Sequence, residues 1–314
     1  MNNWRMTTWI IAVALLLAAP AISQKEQANG KGRAVVTILA KQHGELPAEV
    51  AQKDVSIKVN GKPAEVTHWA PLRGPDARLE LVILIDSSGI SSLGSQFGDI
   101  EHFINGLPSN TKAAIGYMQN GRAVISVPLT ANHTEALRAL HLPGGPAGSS
   151  ASPYFCLSDL AKNWPSSDRG ARREVVMVTD GVDNYEPVFD PYDPYVLAAI
   201  DDSVRAGLVV YSIYWQNQGP VLTSYGENTG QSFLSKVTEA TGGKNLWTGI
   251  GNPVSLQPFF EEIARRLGNQ YELSFTTRLN GKPAIEAMKL KVGGLTAEVT
   301  APQNVFVKQA GAAE

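Results

Sequence analysis

Residues 81–85, Leu-Val-Ile-Leu-Ile, are apolar without alternation, and the run stops at Asp86. A strand apolar on both faces must be covered on both, the condition of a central strand in a parallel sheet. Residues 174–179, Glu-Val-Val-Met-Val-Thr, repeat the pattern and end at Asp180. Around these two runs, helix-length segments (97–107, 133–140, 154–164, 195–206, 231–240 and 256–267) alternate with strand-like ones at 113–118, 123–127, 208–214 and 245–247. Alternation of this kind predicts an α/β domain over residues 79–268, a doubly wound, mostly parallel sheet with helices on both faces. Asn120-Gly121 is tight-turn chemistry, so one antiparallel edge strand is expected.

The flanks read differently. Residues 24–33 are polar and glycine-containing, the composition of a linker. Short strands are expected at 35–39, 55–59 and 64–68, with Asn60-Gly61 turning the last pair. After residue 269 the strands at 271–276, 287–292, 296–299 and 305–307 follow. The expectation is a small β subdomain built from the N-terminal segment (24–78) and the C-terminal one (269–314). Asn-Gly-Lys-Pro-Ala occurs at 60–64 and again at 280–284. This echo reads either as two similar turns or as a sign that the flanks pair.

Arg5, the apolar run 9–19, Pro20 and the small residues Ala21 and Ser23 have the form of a signal peptide ending at Ser23. The run is about half the roughly 20 residues a membrane span needs. An exported protein, periplasmic or extracellular, is therefore expected, with no span after signal removal. Without residues 1–23 the chain carries 26 basic and 29 acidic side chains, without long runs. That balance argues against nucleic acid or an anionic membrane as partner. A single cysteine, Cys156, excludes an internal disulfide framework.

Ligands of open α/β sheets bind beyond the carboxyl ends of the strands. Three loops carry oxygen-bearing side chains there: residues 86–91 (Asp-Ser-Ser-Gly-Ile-Ser), 148–152 (Gly-Ser-Ser-Ala-Ser) and 179–184 (Thr-Asp-Gly-Val-Asp-Asn). Carboxylates and hydroxyls without His or Cys suit a hard cation such as Mg²⁺. Each loop alone also fits an ordinary helix N-cap.

Residues 81–92, Leu129-Thr130, 174–184 and 238–243 together resemble a von Willebrand factor A (VWFA) domain, and the tail 269–275 resembles VWFA-related exported bacterial proteins. The resemblance covers about residues 34–307. It implies a metal-ion-dependent adhesion site whose first motif is Asp-x-Ser-x-Ser, with a Thr in the second loop and an Asp in the third. Carried over by position, Asp86, Ser88, Ser150 and Asp180 would hold Mg²⁺, or Mn²⁺ or Ca²⁺ in its place. Ser149 is the neighbouring alternative to Ser150. Ile90 stands where the motif expects a second serine and has nothing to ligate with; Ser91 comes one residue late. Ser91, Asp183 and Asn184 border the site as ligand contacts. The resemblance implies a protein or peptide ligand, its own acidic side chain completing the ion's shell. A scaffold with the same loops and no ion is the alternative. The acidic, aromatic stretch 183–195 reads as a solvated loop, a contact patch or a separate Ca²⁺ site.

No Gly-x-Ser-x-Gly, His-Glu-x-x-His or phosphate-loop motif is present. The five histidines (His43, His68, His102, His133 and His141) are scattered, so a non-enzymatic binding role is expected. A hydrolase using Ser88 or Ser150 as nucleophile is the reading from another class.

Overall fold

The computed structural model describes residues 28–41, 49–74, 77–88, 91–146, 149–186, 190–216, 224–249, 251–279, 282–294 and 297–310. Residues 1–23, expected from sequence to be a signal peptide, and Ile90 lie outside them. Among the described residues, no helix is long and apolar enough to cross a membrane.

Seven strands build the larger sheet: β1 (Ala28–Ala40), β2 (Val55–Val59), β3 (Lys62–Pro71), β10 (Gln270–Leu279), β11 (Ala284–Val292), β12 (Ala297–Thr300) and β13 (Asn304–Gln309). Their order is β10-β3-β2-β11-β13-β1-β12, and β1 also pairs with β10. That last pairing closes six antiparallel strands into a barrel, around a core that includes Val36, Ile38, Ile57, Leu273, Phe275 and Val307.

The barrel overturns the fold expected from sequence. The chain is not a doubly wound parallel α/β fold with a minor β flank; a closed antiparallel barrel stands beside a mixed sheet of six strands. The polar segment read as a linker supplies the first half of β1, which pairs with β10 from Ala28↔Leu279 to Thr37↔Gln270. Its glycines are structural. A Cβ on Gly32 would lie 2.2 Å from the Phe275 ring, and one on Gly30 would lie 2.6 Å from Leu279 and Val307. Large side chains of the barrel interior fill the space these two positions leave empty, so a glycine-rich stretch here marks close packing rather than freedom.

The six-stranded sheet has the order β6-β5-β4-β7-β8-β9. Its members are β4 (Leu79–Asp86), β5 (Thr111–Gln119), β6 (Arg122–Ile125), β7 (Arg172–Thr179), β8 (Leu208–Tyr214) and β9 (Asn245–Leu246). All neighbours are parallel except the β5–β6 hairpin. Asn120 and Gly121 turn that hairpin with φ of 47° and 73°, as Asn60 and Gly61 (49° and 76°) turn β2 into β3. Every residue of β4 is buried. One face packs on α1 (Phe97–Gly106) and α6 (Gln257–Leu267), the other on α3 (Pro153–Lys162), α4 (Pro194–Ala206) and α5 (Ser224–Thr241). The segment expected as a helix at 133–140 is a single turn, α2 (His133–Ala136), running into a 3-10 turn.

Buried polar contacts join barrel and sheet. Arg172 Nη1 at the start of β7 donates to Gln270 Oε1 of β10, and Gln270 Nε2 donates to Tyr211 Oη of β8 at 3.2 Å. Arg266 of α6, buried itself, reaches Glu298 and Thr300 of β12.

Candidate functional site at the carboxyl edge

Strand order reverses between β4 and β7, the position where loops part and leave a crevice. Asp86 closes β4 there and is buried. Its Oδ1 accepts the Ser88 N–H at 2.9 Å, and its Oδ2 accepts the Thr179 hydroxyl at 2.8 Å. Thr179 Oγ1 in turn accepts the Gly181 N–H at 3.1 Å. One carboxylate thus ties the first loop to the third. In the sequence Thr179 is the end of a strand and the first residue of the third oxygen-bearing loop, with no role of its own assigned; its bridging role depends on the β4–β7 register, which local pattern does not reveal.

The second loop meets the first through hydroxyls. Ser88 Oγ and Ser150 Oγ lie 3.2 Å apart, and the Ser150 N–H points to Ser88 Oγ at 3.4 Å. Both serines are buried. The β5–β6 turn holds this loop, with Asn120 N–H donating to the Ser149 carbonyl and Gly121 N–H to the Ser150 carbonyl at 2.8 and 2.9 Å. Ser150, not Ser149, faces Ser88. Ala151 follows with a φ of 62°, a residue with a side chain in the left-handed region. Such a residue costs on the order of 1–2 kcal/mol and persists only where its surroundings enforce it. Ser152 then caps α3 by accepting the Tyr154 N–H.

Asp180 is buried, and its Oδ1 accepts the Val182 N–H at 3.0 Å. The third loop lies directly on α5: a Cβ on Gly230 would sit 2.1 Å from the Asp180 carbonyl oxygen. Asp183 is buried as well and folds its loop back by accepting the N–H groups of Tyr185 and Glu186, whereas Asn184 is exposed. Burial pushes the Asp183 carboxyl up, against the pull of those N–H groups. Asp193 caps α4 through the N–H groups of Tyr195 and Val196. Burial, with Asp183, Asp180 and Asp193 nearby, holds the Tyr154 phenol well above its ordinary range; its hydroxyl donates to the Gly181 carbonyl at 2.7 Å. Ser91 opens the 3-10 segment Ser91–Gln96.

Two oxygens bound at adjacent octahedral positions of Mg²⁺, each at about 2.1 Å, stand about 3 Å apart. The Ser88–Ser150 spacing matches that, and the donors are all oxygens of the hard-cation type. The residues present therefore fit a Mg²⁺-like ion. No group of three or more His, Cys, Asp or Glu side chains clusters as metal ligands among the described residues. Any ion here would rest on serine hydroxyls as much as on carboxylates.

Five large apolar side chains stand exposed on loops of this same edge: Leu142, Tyr185, Tyr192, Trp247 and Val254. Tyr185 packs edge-on against Tyr195 at 5.4 Å and lies 5.4 Å from Phe155, ring centre to ring centre. It is nonetheless 63% exposed.

No protein-family model matches the chain, and no curated protein matches it in sequence. Several solved structures are similar. BatB from Bacteroides thetaiotaomicron is 16% identical over 60% of this chain and 98% of its own, with a TM-score of 0.42. The VWA domain of SpRpn10 is 12% identical over 60% and 97%, with a TM-score of 0.41. Proximal thread matrix protein 1 from the mussel byssus, solved with a zinc-occupied MIDAS motif, is 12% identical over 67% and 50%, with a TM-score of 0.43. The α/β part of this chain is VWFA-like. Its own strand order and the meeting of the Asp86, Ser150 and Asp180 loops at one sheet edge carry that statement.

Proposed function

We propose that this chain is an exported protein-interaction module that takes a protein or peptide ligand at the carboxyl edge of its six-stranded sheet. The observation that carries the reading is the buried Ser88–Ser150 hydroxyl pair, 3.2 Å apart, beside Asp86 and Asp180. A bound Mg²⁺ would supply an open position for a carboxylate of the ligand. Ser88 and Ser150 would hold it directly. Asp86 and Asp180 would balance its charge, and Asp86 also fixes Ser88 through the backbone. Ser91, Asp183 and Asn184 would border the ligand. Residues 1–23 support export.

The five exposed apolar side chains of the same edge favour a second reading, in which the ligand binds by shape and apolar contact without an ion. Aromatic side chains in such positions are enriched at protein interfaces. A hydrolase reading finds less support. Ser88 Oγ bonds to Ser150 rather than to a His or a carboxylate, so neither hydroxyl has an evident base.

Thermal melting with Mg²⁺, Mn²⁺ or Ca²⁺ separates these readings. At a hundredfold excess over its Kd an ion stabilises the folded state by about 2.7 kcal/mol. A rise that disappears in Ser88→Ala supports the ion; no rise with any of the three ions removes it and leaves the apolar reading.

A further inference from the structure

A second site lies away from the carboxyl edge. Between α1, α6 and the amino ends of β4, β5 and β7 is a cavity of about 720 Å³, within the roughly 300–1,000 Å³ of small-molecule sites. Leu79, Leu107, Leu267 and the Phe103–Phe260 pair, stacked at 4.7 Å, give it an apolar wall. Two carboxylates on its rim are already engaged. Asp99 Oδ2 accepts from Ser255 and from the Leu256 and Gln257 N–H groups, and Glu261 accepts from Gln257.

Arg172 also lines the cavity and is different. Its Nη1 donates to the Leu267 carbonyl and to Gln270, and its Nε stands 3.9 Å from Glu174 Oε1. Nε is sealed from solvent, but Nη2 is not among the sealed atoms and has no partner among the described residues. A guanidinium only 7% exposed thus lines an apolar cavity with its hydrogen-bonding capacity incompletely used. Glu174, pushed up by burial, is a weak counter-ion for it. Arg73 adds a second positive charge to the lining.

We propose that this cavity binds a small amphipathic carboxylate, its apolar body against Phe103 and Phe260 and its carboxylate on Arg172. An arginine edge in an apolar surrounding recognises a carboxylate by charge-assisted hydrogen bonds that an alcohol of the same length cannot match.

Isothermal titration of the full chain with decanoate and with decanol tests this. Decanoate should bind about tenfold or more tightly than decanol. Arg172→Met should erase that preference. Because Arg172 also joins barrel to sheet, a second variant, Ala264→Trp, fills the cavity from α6 without touching that link and should abolish decanoate binding. Three results would overturn the proposal: no decanoate binding at millimolar concentration, equal affinity for decanol, or undiminished binding in Ala264→Trp. Ion-dependent melting read on the same protein reports the carboxyl edge separately, so either site can fail while the other stands.

Discussion

Replacing Asp86 by Ala, with divalent ions chelated, should destabilise the chain by about 2–6 kcal/mol. The figure follows from two buried donors, the Ser88 N–H and the Thr179 hydroxyl, whose acceptor disappears; a buried donor left unpaired costs about 1–3 kcal/mol. Against a total stability of roughly 5–15 kcal/mol for a typical domain, the loss is large. Asp86→Asn should cost far less, about 1 kcal/mol. Its amide oxygen can still accept from Ser88, and the Thr179 hydroxyl can rotate to accept from the amide nitrogen. Urea unfolding followed by the fluorescence of the four tryptophans that lie beyond residue 23 (Trp69, Trp164, Trp215 and Trp247) measures both variants. An unchanged m-value licenses the comparison. Equal losses for Ala and Asn, or a loss under about 1 kcal/mol for Asp86→Ala, would refute the view that this carboxylate ties the first loop to the third.

Other perturbations test neighbouring parts. Gly230→Ala places a methyl 2.1 Å from the Asp180 carbonyl oxygen, and should cost about 1–3 kcal/mol by forcing the third loop off α5; a neutral result in the same urea assay would deny the close approach. Ala151→Gly relieves a left-handed φ of 62° and should raise stability by up to about 1 kcal/mol, whereas destabilisation would mean the conformation carries no strain. Burial raises the Glu174 carboxyl, so the folded chain holds that proton more tightly than the unfolded one. Its contribution is present below the ordinary carboxylate range and lost as pH rises through the raised value. Glu174→Gln should therefore gain stability relative to the parent as pH rises from 4.5 to neutrality; parallel pH–stability curves would contradict this.

How much of this could be read in the sequence depends on what each feature needs. The ends of β4 and β7 announce themselves because a continuous apolar run has few alternatives to a buried strand. Asn60-Gly61 and Asn120-Gly121 are legible because few dipeptides turn a hairpin so cheaply. The barrel is not legible. Its longest strand opens with Ala28, Asn29, Gly30, Lys31 and Gly32, a composition that argues for a linker until Phe275 and Leu279 are seen lying over the glycines. Closure by β1 and β10 joins segments more than two hundred residues apart, which no local pattern specifies. In the candidate site, the loops follow from the strands, but the choice between Ser149 and Ser150 rests on the path of the second loop's backbone beside the β5–β6 turn, which residue types do not specify. Arg172 was hidden for a related reason. A charge at a strand start reads as exposed, and only the packed barrel makes it the floor of a cavity.

We propose the Ser88–Ser150 pair as a cation site through which a ligand is held. Anomalous diffraction at the manganese edge, from crystals grown with Mn²⁺, addresses it most directly. If the pair holds a cation, a peak will stand within coordination distance of the Ser88 and Ser150 hydroxyls. Crystals without such a peak, in which the two hydroxyls still bond to each other at 3.2 Å, would contradict it.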